Sequence, residues 1–126
     1  MFEDEHTVAF LDIRPLFPGH CLLVPRGHYY TLVDIPDPLI SPLFVNSKLI
    51  ARSLLDALGA EGTFVAMNNG VSQDVPHLHV HIVPRRNKDG LKGFFWPRTP
   101  YKDNEEREEV ASRIRESVAR MRSERA

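Results

Sequence analysis

Three histidines at alternating positions are the part of the chain best suited to chemistry. His77, His79 and His81 are separated by Leu78 and Val80. Successive side chains of a β-strand point to opposite faces, so the imidazoles would share one face and the aliphatic residues would enter a core. Histidine titrates closest to neutral pH, which suits it to acid–base, nucleophilic or metal chemistry. The pattern predicts a strand with a chemical function.

Metal binding is one chemistry that such a strand allows. Two alternating histidines can ligate one zinc ion. His77 and His81 would lie roughly 13 Å apart at a rise of about 3.3 Å per residue, so all three cannot ligate the same ion. A further ligand would have to come from elsewhere in the chain, and His20 and Asp12 are the candidates.

Covalent catalysis is the second chemistry. An imidazole whose Nδ1 hydrogen is held by an acceptor presents Nε2 as a nucleophile. Neighbouring histidines could donate hydrogen bonds to a phosphate, and residues 70–73 could add backbone N–H groups and the Gln73 amide. Attack at phosphorus suits this arrangement, because positioning and charge stabilisation supply most of the rate. The residues alone leave both chemistries open.

Short strands would position these residues. Residues 7–13 and 20–25 predict two strands separated by turn formers, and residues 63–67 predict a third. The turn at 68–70 would make this third strand the antiparallel partner of the histidine strand. Asp12 ends the first strand and is equally consistent with local turn hydrogen bonds. His20 begins the second and could reach the histidine face, although a structural role is favoured from its type alone.

A helix is predicted over residues 41–58. Ser41 is suited to the N-cap, Pro42 to the first helical position and Gly59 to the position after the last turn. Apolar residues at helical spacing predict its core-facing stripe: Phe44, Ala51, Leu55 and Leu58.

A second helix is predicted over residues 103–122. Asp103 and Glu106 resemble a capping box. Acidic residues fill its first half and basic residues its second half, an order that complements the helix dipole. A narrow apolar stripe could dock it on the domain or on a partner: Val110, Ile114, Val118 and Met121.

Two further segments stand out. Arg85, Arg86 and Lys88 form a basic patch that is either a solvated loop or an attraction for an anionic ligand. Three aromatic residues at 94–96 are either a lid on the core or an anchor at an interface. We favour the interface.

Length and composition set broad limits. The chain has 126 residues, enough for one domain with its own core. A formal net charge of -1 gives no argument for nucleic acid or membrane partners. Cys21 is the single cysteine, so no internal disulfide or cysteine-based zinc cluster is expected. The first residues, MFEDEH, lack the features of a signal peptide, and a cytoplasmic location is expected.

Two long stretches resemble a known family. HLHVHIV at 77–83 resembles the His-x-His-x-His-x-x signature of the histidine triad (HIT) superfamily. LDIRPLFPGHCLLVPRGH at 11–28 is similar to that family's nucleoside-binding segment, and NNGVSQDVPHLHVHIVPR at 68–85 to its catalytic segment. The resemblance implies an α+β, HIT-like fold: an antiparallel sheet of about five strands with a central helix and a C-terminal helix. It also implies a single HIT domain over 1–126 and a homodimer.

The resemblance also implies catalytic roles. His79 would be the nucleophile that forms a nucleotidyl-histidine intermediate. His77 and His81 would orient it and contact the phosphate, and His20 would support His77. Gln73 would lie near the leaving group. Neither a cofactor nor a catalytic metal is implied.

The implied substrate is a purine nucleotide, with adenosine favoured. Asp12 would hold the ribose hydroxyls, and three apolar neighbours would surround the base: Phe10, Leu11 and Ile13. Asn68 would line the phosphate site together with Gln73. The implied activity is that of a hydrolase or transferase that cleaves nucleoside phosphoramidates or dinucleoside polyphosphates at the α-phosphate. The alternative is a nucleotide-binding or scaffold protein with little turnover.

The loop before the histidines departs from the family pattern. Ser72-Gln73 stands where a Gly-Gln pair is usual, and Asp74 where many members place a Ser or Thr that contacts phosphate. A carboxylate there would repel a phosphate unless it points away or a basic neighbour neutralises it. The hypothesis that follows is a preference for an amine leaving group over a polyphosphate.

Overall fold

The computed structural model describes residues 1–91 and 98–125. The chain forms two compact units, Met1–Leu91 and Lys92–Ala126. The first contains a five-stranded antiparallel sheet and a long helix, and the second contains another helix. The predicted α+β fold with about five strands and two helices is confirmed. The single domain over 1–126 and the homodimer stay predictions.

The strand that carries the last of the three histidines lies inside the sheet, with a neighbouring strand on each side. Its strands are β1 (Phe2–Glu3), β2 (Thr7–Leu11), β3 (Cys21–Pro25), β4 (Gly62–Ala66) and β5 (Val80–Arg85). Their spatial order is β1-β2-β3-β5-β4, and every pairing is antiparallel. The three strands predicted from the sequence are therefore confirmed to within two residues at each end. The predicted pairing of the third with the histidine strand is also confirmed.

The strand β5 begins at Val80, so its predicted start at His77 was wrong. The last pairing with β3 joins Leu23 to Val80. Just before it, the Leu78 N–H donates to the carbonyl of Tyr29 at 2.7 Å. Residues 77–79 lie outside the sheet because the Leu78 N–H bonds to a loop carbonyl rather than to a neighbouring strand.

The predicted alternation of side chains persists beyond the end of the strand. Leu78, Val80 and Ile82 have no exposed surface, whereas the three histidines are partly exposed. The aliphatic residues therefore anchor the segment in the core, and the imidazoles share the opposite face.

Helix α1 (Ile40–Leu58) follows a 3-10 turn at Asp37–Leu39. Its predicted end is confirmed, because Gly59 adopts the left-handed conformation with φ of +63°. Its predicted start was wrong: the N-cap is Leu39, not Ser41, and no side chain caps it. A proline in the first turn of the 3-10 segment starts the helical conformation earlier, since its φ is already fixed near the helical value.

The core-facing stripe of α1 was also predicted wrongly. Three of the predicted residues are 41–43% exposed: Phe44, Leu55 and Leu58. The buried residues lie mostly one position earlier: Leu43, Asn46, Ser47, Ile50 and Leu54. Of the predicted stripe, Ala51 packs partly against the core.

Satisfied hydrogen bonds explain the shift of the stripe. The Asn46 amide donates to the Asp4 carboxylate at 2.8 Å and to the Thr7 hydroxyl at 2.9 Å. The Ser47 hydroxyl donates to the carbonyl of Leu43 at 2.9 Å. Polar side chains with such partners can be buried at little cost in free energy. A pattern of hydrophobic residues does not identify these buried polar positions.

The two arginines of the basic patch have structural contacts. Arg85 donates to Asp89, with its Nε at 2.6 Å from a carboxylate oxygen. Arg86 donates to the last carbonyls of α1, those of Leu58 and Gly59. A cation at this end of a helix satisfies unpaired carbonyls and complements the dipole. Neither arginine side chain is left to attract a ligand freely.

Helix α2 (Asn104–Arg125) confirms the predicted C-terminal helix. Asp103 accepts from the Glu106 N–H at 2.8 Å, as a capping residue does, while Glu106 accepts from the Lys102 N–H at 2.9 Å. Three residues of the apolar stripe are 49–59% exposed: Ile114, Val118 and Met121. No helix in the described ranges is long and apolar enough to cross a membrane. The aromatic residues at 94–96 lie outside the described residues.

Candidate active site

A tight turn brings Asp12 and His20 together. Gly19 has φ of +102°, and a Cβ there would overlap the side chain of Leu58, so glycine is required. The Asp12 N–H donates to the carbonyl of His20 at 2.9 Å, and the His20 N–H donates to Phe17 at 3.0 Å. Only 4% of His20 is exposed. The turn therefore holds His20 buried at the start of β3.

Backbone contacts determine which nitrogen of His20 carries its hydrogen. The Leu16 N–H donates to His20 Nδ1 at 3.1 Å, so a neutral His20 carries hydrogen on Nε2. That nitrogen lies 3.0 Å from His81 Nδ1 and 3.7 Å from an Asp12 oxygen. His20 therefore donates to His81, and a neutral His81 carries hydrogen on Nε2. The sequence prediction that His20 could reach the histidine face is confirmed.

Burial keeps both imidazoles of this pair neutral. It lowers the pKa of His20, with the Asp12 carboxylate opposing the shift. It is also the main cause of the lowered pKa of His81, to which His79 and His20 add. Neutral rings are needed for the chain of hydrogen bonds from Leu16 through His20 to His81.

His79 is held in the opposite tautomer. Its Nδ1 lies 2.8 Å from the carbonyl of His77, which can only accept, so Nδ1 carries the hydrogen. Its Nε2 consequently has a free lone pair. The ring centroids of His79 and His81 are 5.0 Å apart at an interplanar angle of 69°. A nucleophilic nitrogen and a ring carrying an N–H donor therefore stand side by side.

The ring of His77 faces the protein with both nitrogens. Nε2 lies 3.2 Å from the carbonyl of Pro25, and Nδ1 lies 3.0 Å from Nδ1 of His28. The expectation that His20 supports His77 was therefore wrong, since His20 contacts His81 instead. His77 orients His79 through its backbone carbonyl, and its contact with phosphate stays a prediction.

Sequence reasoning missed His28. Only the strand register identifies this neighbour: β3 and β5 pair with Leu23 opposite Val80, and extending this antiparallel register three residues places Arg26 opposite His77. Residues just after β3 therefore lie near His77, and the side chain of His28 contacts it.

The residues expected around the base are only partly brought together. Phe10, Leu22 and His81 are register partners across β2, β3 and β5, so Phe10 lies on the histidine face. Leu11 is one position later and points to the opposite face, where it lines an apolar cavity of about 530 Å³ against α1. Ile13 is 93% exposed. The role of these residues toward a base stays a prediction.

The loop before the histidines is tied to a neighbouring loop. The Gln73 amide accepts from the Gly70 N–H at 2.8 Å and donates to the carbonyl of Tyr30 at 2.7 Å. Asn69 accepts from the Leu32 N–H at 2.8 Å. Gln73 therefore shapes the loop in this structure, and its second N–H and second oxygen lone pair are the groups left for a leaving group.

Asn68 and Asp74 are exposed on the same loop. Neither side chain has a hydrogen bond or ion pair with the described residues. Both are thus available to a ligand, although nothing fixes their orientation.

One group of side chains has a geometry that could suit a metal ion. Asp12, His20 and His81 each offer an atom within 4.8 Å of the others. Ligation by His20 Nε2 would require that nitrogen to lose its hydrogen while the Leu16 N–H still occupies Nδ1. An imidazole that carries neither hydrogen is an anion, which neutral pH disfavours. The donor set therefore fits a chain of hydrogen bonds better than a metal site.

Comparison with known proteins agrees with this geometry. Residues 1–88 match the family model of the HIT domain. Adenosine 5'-monophosphoramidase HNT1 of Saccharomyces cerevisiae is 34% identical over 99 residues, which are 77% of this chain and 60% of that protein. Adenylylsulfatase HINT3 of Arabidopsis thaliana is 33% identical over 93 residues, 72% of this chain and 47% of that protein.

The fold is shared with solved structures. The crystal structure of SMU.412c from Streptococcus mutans UA159 has a TM-score of 0.82 at 32% identity, covering 94% of this chain and 75% of that chain. The family match covers the sheet, α1 and all three alternating histidines. The chain belongs to the HIT family.

Proposed function

We propose that this chain is a nucleotide hydrolase or transferase that cleaves nucleoside phosphoramidates at the α-phosphate through a nucleotidyl intermediate on His79. One observation carries the proposal: His79 Nδ1 lies 2.8 Å from the carbonyl of His77, which leaves Nε2 with a free lone pair. HIT relatives named as an adenosine monophosphoramidase and an adenylylsulfatase support the reaction class and adenosine as the nucleoside.

The first step transfers the nucleotidyl group to the protein. His79 Nε2 attacks the α-phosphorus, and the bond from phosphorus to the leaving nitrogen breaks. The departing amine takes a proton from solvent, while the Nε2–H of His81, whose neutral state burial maintains, donates a hydrogen bond to a phosphate oxygen. The carbonyl of His77 stabilises the positive charge that develops on the His79 ring. No metal or cofactor is needed for this step.

The second step releases the nucleotide. Water attacks the phosphorus and releases a proton to solvent, while the bond from phosphorus to His79 Nε2 breaks. The products are the nucleoside monophosphate and the original tautomers of both histidines. His20 keeps His81 Nδ1 occupied throughout, so that His81 keeps its hydrogen on Nε2 and directs this donor toward the phosphate.

The substrate is proposed from the groups around the histidines. One oxygen of Asp12 lies 3.7 Å from His20 Nε2, and the other accepts from the Arg14 N–H at 2.8 Å, the local turn hydrogen bond that its sequence position allowed. The remaining lone pairs of the carboxylate can accept from ribose hydroxyls. Asp74 is exposed without a partner in the described part of the chain. A carboxylate near the leaving group favours an amine, which can carry positive charge, over a polyphosphate. A purine nucleotide and a homodimer complete the proposal.

A second function is a nucleotide-binding or scaffold role with little turnover. The observation that favours it is the Gln73 amide, whose oxygen and nitrogen are both bound to backbone groups of the two loops. A Gln73 amide held in place by the two loops could help to bind a nucleotide while contributing little to turnover.

The experiment is AMP release from an adenosine phosphoramidate without added metal. The wild type should release AMP, and His79→Ala should lose activity by about a thousandfold or more, because the nucleophile is gone. His6→Ala is the control, since His6 has a partly exposed ring whose ion pair, within the described residues, is with its neighbour Glu5 and not with the site. AMP affinity of each variant is measured in parallel.

Each outcome decides between the functions. No release from the wild type with AMP still bound would favour the scaffold role. Release by His79→Ala at the wild-type rate would refute the covalent mechanism. Faster cleavage of diadenosine polyphosphates than of phosphoramidates by the wild type would refute the choice of leaving group.

A further inference from the structure

Two neighbouring residues after β3 contact the histidine segment at adjacent points. The side chain of His28 contacts the ring of His77, and the carbonyl of Tyr29 accepts from the Leu78 N–H. Both contacts lie next to the carbonyl that holds His79. The segment is therefore placed to determine where that carbonyl points.

The side-chain contact has a defined direction. The carbonyl of Pro25 lies 3.2 Å from His77 Nε2 and can only accept, so a neutral His77 carries hydrogen on Nε2. His77 Nδ1 is then an acceptor, and His28 Nδ1, at 3.0 Å, must donate. The two rings are tilted by 42° with centroids 5.0 Å apart. His77 is thus restrained at both nitrogens, and His28 supplies one restraint.

The backbone contact acts on the same peptide unit. The peptide bond between His77 and Leu78 donates its N–H to Tyr29 at 2.7 Å and accepts through its C=O from His79 Nδ1 at 2.8 Å. A peptide group is planar, so fixing its N–H fixes the direction of its carbonyl. Hydrogen bonds on both sides of one peptide also polarise each other, which strengthens the hold on His79.

We propose that His28 is a positioning residue for the nucleophile, acting through the ring and backbone of His77. This inference rests on the proposed function, in which His79 must keep its hydrogen on Nδ1. His28 itself is exposed and contacts the site through His77 alone among the described residues. Its removal should therefore loosen the geometry of His79 without removing core packing.

The test compares two substitutions at one position. His28→Asn keeps a donor where Nδ1 stood, whereas His28→Leu has similar bulk and no donor. We expect His28→Leu to lower kcat for AMP release by about 10- to 100-fold with little change in KM, the size of effect that misplacing a reacting group has. His28→Asn should recover most of kcat. His6→Leu serves as the control at a surface histidine.

A second readout needs no substrate. Long-range ¹H–¹⁵N correlation spectra of the free protein report the tautomer of each histidine. The wild type should show hydrogen on Nε2 of His77 and on Nδ1 of His79, and His28→Leu should give mixed tautomers for His77. Thermal unfolding shows whether each variant is folded.

Several results would overturn the proposal. An unchanged kcat in His28→Leu, or equal losses in His28→Leu and His28→Asn, would show that the donor is not needed. A wild-type spectrum with hydrogen on Nδ1 of His77 would reverse the direction of the contact and refute it. If the wild type releases no AMP, the proposed function fails, and the spectra alone then decide whether His28 positions His77.

Discussion

The contact between His20 and His81 leads to the most informative prediction. His20 Nε2 lies 3.0 Å from His81 Nδ1, and His20 Nδ1 accepts from the Leu16 N–H at 3.1 Å. His20→Leu removes both contacts. His20→Gln keeps a donor at the ε position but offers no acceptor at the δ position. The two variants share the loss at Leu16 and differ in the donor to His81.

The expected magnitude follows from one hydrogen bond. A net contribution of about 0.5–1.5 kcal/mol, if it is made fully in the transition state, corresponds to about 2- to 12-fold in kcat. We expect this ratio between His20→Gln and His20→Leu, because only the first keeps His81 Nδ1 occupied. Both variants should lose about 0.5–1.5 kcal/mol in the free energy of unfolding, because the Leu16 N–H loses its acceptor on His20. Leu16 is 54% exposed, so water can replace part of the lost bond.

The assay is steady-state AMP release together with urea unfolding of the same preparations. The reasoning is refuted if both variants lose the same stability and also have the same kcat. His20 would then matter for the fold of the turn alone. A loss confined to KM would also contradict it, because the contact is proposed to hold the Nε2–H of His81 as a donor in the transition state.

Two further predictions concern stability. Hydrogen bonds, first from the His6 backbone and then from Asn46 and Thr7, lower the pKa of Asp4 from 3.8 to about 2. The ionised Asp4 carboxylate therefore adds to the free energy of unfolding above about pH 4, and this stabilisation is lost as pH falls toward 2. Asp4→Asn should therefore flatten the acid limb of stability in unfolding measured against pH, whereas Asp56→Asn on the exposed face of α1 should leave it unchanged; equal curves for all three proteins would contradict this. Arg86→Ala should lower the free energy of unfolding by about 1 kcal/mol through its lost bonds to the end of α1, with kcat unchanged, and a lowered kcat would show that Arg86 acts on the site.

Hydrophobic periodicity predicted the parts of the fold that depend on local pattern. Alternation at 77–83 predicted which side chains are buried, and Leu78, Val80 and Ile82 have no exposed surface. It could not predict the face of α1, because the buried Asn46 is satisfied by Asp4, which lies 42 positions away in the sequence. Long-range hydrogen bonds make a polar residue compatible with the core, and no local pattern contains them.

The candidate site also has features that the sequence predicted and features that only the tertiary structure decided. Residue types and spacing carried the resemblance to the HIT family, and the family match confirms it. The role of His79 as the nucleophile was implied by that resemblance and stays a prediction. The tertiary structure alone decided the partners: His20 with His81, and His28 with His77. Those pairs depend on the register between β3 and β5 and on where the chain leaves the sheet. Register is fixed by the packing of whole strands, so it appears only when the chain has folded.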